Sequence, residues 1–313
     1  MPDIIYVCNM GGLSLSPLAA AYDLGLPFVF DIGDYWLLKR YQELCLEPNH
    51  LKRDYRLFVH ALKSFTQLQF APILTNSSIL KQRYVESGFS AEQITIIPRG
   101  LPDHHILDTP SLLESDTRVR LLCAGRLTQA KGIHLAIQAV ALLNQELASE
   151  LKRAVHLDII GEGDSSYLQY LRELVVSLRL QERVRFVGKL SQEELISRLR
   201  GYHAVLVPSV WVEPFGRIVI EAMAQGTCVI ASERGGPAEL IDHGRNGLLV
   251  PPEDPRAMAR AVIDLIQDGD LRDRIRHAAI ASARERYSMQ KVGDQVEAFL
   301  KAVLVKHRRN QGR

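Results

Sequence analysis

Residues 119–161, VRLLCAGRLTQAKGIHLAIQAVALLNQELASELKRAVHLDIIG, decide the fold class. VRLLCA (119–124) is a short apolar run closed by Gly125, residues 131–146 place apolar side chains at helical spacing, and VHLDII (155–160) is a second apolar run. A strand, a helix and a strand in that order predict a βαβ unit and a parallel sheet, hence α/β architecture. The alternation continues downstream with strands at VRFV (184–187), AVLVP (204–208), CVIA (228–231) and GLLV (247–250). Helices are predicted between and after them at 164–179, 191–200, 217–225, 237–242 and 255–268, which completes a doubly wound domain. Two further helices, 270–285 and 289–308, follow the last strand.

Upstream, strands are predicted at IIYVC (4–8), FVFDI (28–32), ILT (73–75) and ITII (94–97), with helices after Ser14, after Trp36, across 51–68, and from Ser78 to Gly88. Ser78 reads as the N-cap of that last helix and Gly88 as the residue beyond its end. Residues 99–117, RGLPDHHILDTPSLLESDT, carry two prolines and no period, so they read as a linker. The expected organisation is an N-terminal domain over 1–110, a second domain over 111–288, and a final helical segment, 289–313.

Hydrophobic residues make up 47% and charged residues 24%, and 38 Lys+Arg against 36 Asp+Glu leave a net charge of +2. Such a balance excludes a disordered chain, a collagen and a polybasic nucleic-acid binder. Cys8, Cys45, Cys123 and Cys228 lie far apart with no partner at metal-ligand spacing, so free thiols in a reducing compartment and no metal are expected. The start, MPDIIYVCNMGG, lacks a basic region ahead of a long apolar run, and later runs are too short to span a bilayer. A cytoplasmic protein is therefore expected, with the basic end LVKHRRNQGR read either as a solvated tail or as a peripheral contact with anionic lipid at the inner membrane face.

In open α/β sheets ligands bind beyond the carboxyl ends of the strands. After VRLLCA, Gly125 allows a tight turn while Arg126 and Lys131 bracket the start of the next helix. Two cations beside a helix N-terminus suit a phosphate or diphosphate, and two solvated surface cations are the alternative. Gly161-Glu162-Gly163-Asp164-Ser165-Ser166 superficially resembles a dinucleotide loop. It lacks an acidic residue closing the following strand, which ends in Lys189, and reads better as a tight turn capped by Asp164. The strongest signal is Glu213-Pro214-Phe215-Gly216-Arg217-Ile218-Val219-Ile220-Glu221, two carboxylates eight positions apart across a helix start. Glu221 lies among apolar neighbours, where a carboxylate needs a fixed partner: a ribose diol on one reading, a cation such as Arg126 on the other. A glycosidase also uses paired carboxylates, but has no need of the cations. In Ser232-Glu233-Arg234-Gly235-Gly236-Pro237-Ala238-Glu239 the glycines let backbone approach a ligand, and Glu239 falls in the first helical turn, where a helix dipole alone would favour it. His104, His105 and His134 have no carboxylate or cysteine at sensible spacing and read as solvated or packed.

Gly125-Arg126-Leu127 with Lys131-Gly132, Ile160-Gly161-Glu162-Gly163, Phe186-Val187-Gly188, the Glu213 to Glu221 element, Gly235-Gly236-Pro237-Ala238-Glu239 and Asn246-Gly247-Leu248-Leu249-Val250 follow one another in order over 119–253. Together they resemble the donor-binding domain of family 4 retaining glycosyltransferases of GT-B fold, the glycosyl transferases group 1. The resemblance implies two Rossmann-like domains and metal-independent transfer of a hexose-type sugar from a UDP- or GDP-sugar, with retention, to a saccharide or lipid-linked acceptor in the cleft between them. It implies no cofactor. Arg126 and Lys131 would hold the diphosphate behind Gly125, Glu221 the ribose, and Lys189 and Leu190 would lie against the base. Glu213, with the Phe215 and Gly216 backbone leading into Arg217 and Ile218, would contact the transferred sugar. Glu213, Arg126 and Lys131 are thus the expected catalytic residues.

Set against that resemblance, a shortened first domain is expected, with about 100 residues ahead of the linker. Either Asn9-Met10-Gly11-Gly12 is the family's glycine loop, or residues 4–36 resemble the middle of its N-terminal domain, leaving the sheet incomplete and an edge open to a protein partner or self-association. On the second reading the family's usual histidine corresponds to Gly33. Gly11, Gly12, Asp34, Trp36 and Arg99 are the expected acceptor-side residues, with Asp34 read alternatively as a helix cap. A partner-completed or non-catalytic nucleotide-sugar-binding module is the competing function.

Overall fold

The structure is a computed structural model that describes residues 2–8, 24–38, 71–111, 118–145, 148–151 and 153–311. The expected helices after Ser14 and across 51–68, most of the one after Trp36, and Gly11, Gly12 and Cys45 lie outside the described residues. The chain divides into two compact units, Met1–Arg99 with Gln290–Arg313, and Gly100–Met289.

In the first unit β1 (Ile5–Val7), β2 (Phe28–Ile32), β3 (Ile73–Thr75) and β4 (Ile94–Ile96) form a parallel sheet in chain order. Its central strands, FVFDI and ILT, are buried throughout, as parallel strands covered on both faces must be. Helix α1 (Ser78–Glu86) follows β3, and Leu80 and Tyr84 face the core built on Phe30, Ile32 and Ile73. Its N-cap is Ser77 rather than Ser78: the Ser77 Oγ accepts from the Leu80 amide at 3.2 Å, two adjacent serines having offered the same signal. The other face is closed by Val292, with Val296, Phe299 and Leu300, against Val29, Leu74 and Ile97.

The second unit contains β5 (Arg118–Ala124), β6 (Ala154–Ile160), β7 (Val184–Gly188), β8 (Ala204–Val207), β9 (Cys228–Ser232) and β10 (Leu248–Val250). All are parallel, in the spatial order β10-β9-β8-β5-β6-β7. On one face, α2 (Ile133–Asn144), the short α3 (Ala148–Leu151), α4 (Ser165–Ser177) and α8 (Pro255–Gln267) follow their strands, and Ile137, Val140, Leu171 and Val262 pack against Leu121, Leu157 and Ile230. On the other face lie α5 (Gln192–Leu199), α6 (Arg217–Ala224), α7 (Gly235–Leu240) and α9 (Gly269–Tyr287), with Leu199, Val219, Ile220 and Ile280 against Val205 and Val229. The helix α10 (Met289–Gln311) ends the described chain.

Two further expectations change. The stretch read as a linker is largely part of this unit: Leu101 and Ile106 are buried in its core, the Leu101 amide donates to the Tyr287 carbonyl at 2.7 Å, and the Leu107 amide to that of Ala224 at 3.0 Å. Isolated apolar residues between prolines carry no period, so their burial leaves no trace in the sequence pattern. Helix α7 begins at Gly235, not Pro237, because Pro237 sits in the first turn, where its missing N–H costs no hydrogen bond. Glu239 therefore lies beyond that turn and is not the dipole-favoured residue expected.

Candidate active site at the switch point of the second sheet

Chain order reverses between β5 and β8: successive strands run outward through β6 and β7 on one side, then through β8, β9 and β10 on the other. The connections after β5 and β8 consequently leave in opposite directions and open a crevice at the carboxyl ends of the two strands. Arg126 and Lys131 are in the first connection, Glu213 in the second.

Residues 129–131 form one tight turn before α2 starts at Ile133, and Gly132 between them adopts a left-handed conformation. A side chain there would strike the Pro208 carbonyl oxygen at 1.9 Å, so the β5 connection lies directly against the end of β8. That contact brings the Lys131 ammonium onto Glu213 Oε1. Glu213 is 4% exposed and also accepts from Ser209 Oγ at 3.0 Å, so its charge is held in place before any ligand arrives. Arg126 is exposed in the same connection.

The β8 connection ends at Gly216, whose φ of +107° lets the chain turn into α6. No side chain caps that helix, so the amides of its first turn are open to an anion. Glu221, one turn in, is 5% exposed. Its Oε1 accepts from Arg217 Nε at 2.8 Å and from Gln192 Nε2 at 3.1 Å, so its cation is Arg217 and not Arg126. Sequence reasoning missed Gln192, which precedes Glu221 by 29 residues and reaches it only because α5 packs beside α6. Burial holds the Glu221 carboxyl above the usual carboxylate range, and Arg217 and Gln192 only partly oppose this. The native state thus binds this proton more tightly than the unfolded chain does. The associated stability is complete below the unfolded value of 4.5 and is lost as pH rises through the folded value. Glu221→Gln removes that titration, so its stability relative to wild type is expected to climb with pH across this window. Urea melts at stepped pH test it, and parallel curves for the two proteins would refute the burial argument.

The glycines of the other two loops serve loop packing. A side chain at Gly161 would lie 1.9 Å from the Gly125 carbonyl oxygen, and one at Gly163 2.4 Å from that of Leu127. The Leu127 amide donates to the Glu162 carbonyl, and the Asp164 amide back to that of Leu127, both at 3.0 Å. Asp164 caps α4 as expected, accepting from the Ser166 and Tyr167 amides. In the β9 connection, side chains at Gly235 and Gly236 would meet the backbone of Glu213 and Phe215, and the Gly236 amide donates to the Glu213 carbonyl at 2.7 Å. The close backbone approach seen at these two glycines is to the neighbouring loop. Lys189, exposed beyond β7, pairs with Glu162 at 2.8 Å, and Leu190 beside it is half-buried. His134 accounts for itself by its Tyr167 hydroxyl contact at 2.9 Å.

In the first unit, Asp34 Oδ1 accepts from the Trp36 amide at 2.8 Å, the capping role weighed for it. Arg99 Nη1 pairs with Asp31 at 2.7 Å, Tyr6 donates to the same carboxylate at 2.8 Å, and the Arg99 guanidinium lies over Gly33. Among the described residues, no group of three His, Cys, Asp or Glu side chains stands close enough to share a metal. No helix among them is long and apolar enough to cross a membrane.

Comparison with known proteins is consistent with this geometry. The family described as glycosyl transferases group 1 matches residues 107–282. An uncharacterized glycosyltransferase of Methanocaldococcus jannaschii is 29% identical over 246 residues, 75% of this chain and 60% of that protein. Human alpha-1,3/1,6-mannosyltransferase ALG2 is 28% identical over 284 residues, 84% of this chain and 66% of that protein. The chain thus spans less than two thirds of the length of these relatives. The crystal structure of Anabaena HepE in complex with UDP superposes with a TM-score of 0.74 at 23% identity, over 96% of this chain and 79% of that one. The fold is therefore that of the GT-B glycosyltransferases.

Proposed function

The chain belongs to the glycosyl transferases group 1 family, and from that premise we propose that it transfers a sugar from a nucleotide-diphosphate sugar to an acceptor, retaining the anomeric configuration and using no metal, as a family 4 hexosyltransferase. The observation that carries this reading is the convergence of Lys131, Glu213 and the uncapped start of α6 at the switch point of the second sheet.

Arg126, Lys131 and the first-turn amides of α6 hold the diphosphate, where they stabilise the charge that develops as it departs. Lys131 has three donors and can serve the phosphate without releasing Glu213. Glu221, already ordered by Arg217 and Gln192, accepts from the ribose hydroxyls, while Lys189 and Leu190 flank the base. Glu213 and the Phe215–Gly216 backbone fix the transferred sugar. The bond from the anomeric carbon to the diphosphate oxygen breaks, the acceptor oxygen attacks on the same face, and the acceptor proton leaves with the adjacent diphosphate. The acceptor is a saccharide or a lipid-linked saccharide, and Asp34, Trp36 and Arg99 at strand ends of the first unit are its candidate contacts. A cytoplasmic protein at the inner membrane face suits such an acceptor.

UDP and UDP-glucose are bound in the HepE structures, so a uridine donor heads the test, with GDP and ADP conjugates beside it. A ligand at about 100 times its Kd adds about 2.7 kcal/mol of stability, a shift of a few degrees at this size. One nucleotide diphosphate is expected to raise the melting temperature of wild type and to lose that effect in Glu221→Ala. Slow hydrolysis of the matching nucleotide sugar should accompany binding. Binding with no turnover, acceptor present or absent, would leave the non-catalytic module as the function.

A further inference from the structure

The amino-terminal half of the β5–β7 sheet presents arginine where a covered parallel sheet presents aliphatic side chains. On one face the alternating positions run Arg118, Arg120, Leu122 on β5 and His156, Asp158, Ile160 on β6, with Arg185 and Val187 on β7. Leu122 and Ile160 belong to the apolar core and Val187 packs on it, so one continuous face changes from apolar to cationic part-way along its strands. Register sets Arg120 beside His156 and Asp158 beside Arg185.

A concavity of about 590 Å³ opens there, lined by Arg118, Arg120, Arg183 and Arg185 and, from α4 on the opposite face, by Arg172; the carboxylates among its described lining residues are Asp158 and Glu182. Three of the arginines are held by side-chain contacts with surrounding residues. Arg185 grips Asp158 through two hydrogen bonds of 2.9 and 2.6 Å, and the Tyr202 hydroxyl donates to the same carboxylate at 2.6 Å. Arg183 Nη1 donates to His156 Nε2 at 3.0 Å, and the Arg172 guanidinium sits 5.2 Å over the Phe186 ring.

We infer that this concavity binds a phosphorylated small molecule, at a site separate from the donor loops. Guanidinium forks match phosphate oxygens two at a time, and a multiply charged oxyanion offsets the mutual repulsion of five cations lining one concavity. The volume falls in the range of small-molecule sites. The site lies at the amino-terminal halves of strands whose carboxyl ends carry Arg126 and Lys131, so the inference does not depend on the donor reading.

Pyrophosphate is the probe, titrated against the full chain with chloride at matched ionic strength, and binding is read by thermal shift and calorimetry. The response is expected to survive in Arg126→Ala/Lys131→Met, which strips the donor loops, and to weaken about tenfold or more in Arg118→Gln/Arg120→Gln/Arg183→Gln. Arg118→Gln alone, at the exposed start of β5, serves if the triple variant does not fold, with a smaller loss expected. A second arm replaces pyrophosphate with vesicles containing phosphatidate. Sedimentation with them that the arginine variants lose, without a pyrophosphate response, makes the phosphate a lipid headgroup. A response abolished by Arg126→Ala/Lys131→Met and untouched by the arginine variants, or no response to either probe, overturns the inference.

Discussion

On the proposed function, a Lys131→Met protein is expected to turn over a nucleotide sugar about 10²–10³-fold more slowly than wild type, because the charge developing on the departing diphosphate would lose a cation that Glu213 holds in place. The same substitution leaves the buried Glu213 carboxylate with the Ser209 hydroxyl as its one side-chain partner among the described residues. Removing one member of a buried pair costs more than the pair contributes, since the remaining charge stays desolvated. Lys131 is about one third exposed, which moderates the loss to about 1–3 kcal/mol. The two effects separate in Lys131→Met/Glu213→Gln: the second change removes the stranded charge, so the melting temperature recovers while turnover stays low. Turnover by Lys131→Met within a few-fold of wild type would remove Lys131 from the diphosphate site. A double variant no more stable than Lys131→Met would show that Glu213 was never strained by its burial.

The pairing of Lys131 with Glu213 was half legible. That both residues stand at carboxyl ends of strands follows from the alternation that begins at residue 119, and every strand of the second unit lies within a residue of its expected limits. That the two strands are neighbours does not follow, because 82 residues separate the side chains and only the reversal of strand order brings β8 beside β5. Local signals give capping and turn positions, and fail by one residue where they repeat, as at Ser77 and Ser78. Gln192 is beyond them, since nothing in its neighbourhood announces a partner on α6. The arginine face was hidden for a different reason: Arg118 and Arg120 alternate with Val119 and Leu121 just as solvent-facing residues of a strand would. Only the sheet order, which sets β6 and β7 beside them, turns scattered cations into a cluster.

Glycine supports the last prediction. Gly-rich loops at strand ends suggest backbone laid against a ligand, yet at Gly236 the close neighbour is backbone: a Cβ would stand 2.4 Å from Phe215 Cα, 2.5 Å from its carbonyl oxygen and 2.6 Å from its nitrogen. Backbone in a buried loop cannot rotate aside, so the β8 and β9 connections must part. Gly236→Ala is expected to cost about 2–4 kcal/mol. Because the Gly236 amide holds the Glu213 carbonyl, turnover should fall as well. Two further glycines separate the causes. Gly88 has a φ of +97° with nothing near its missing side chain, so Gly88→Ala isolates backbone strain, about 1–2 kcal/mol. A Cβ at Gly33 would meet the far end of the Arg99 side chain at 2.6 Å, which can swing away, so Gly33→Ala should cost about 1 kcal/mol or less. Chemical denaturation of the three variants is therefore expected to rank Gly236 above Gly88 above Gly33. If Gly236→Ala proves no less stable than Gly33→Ala, the interlock of the two connections is not what positions Glu213.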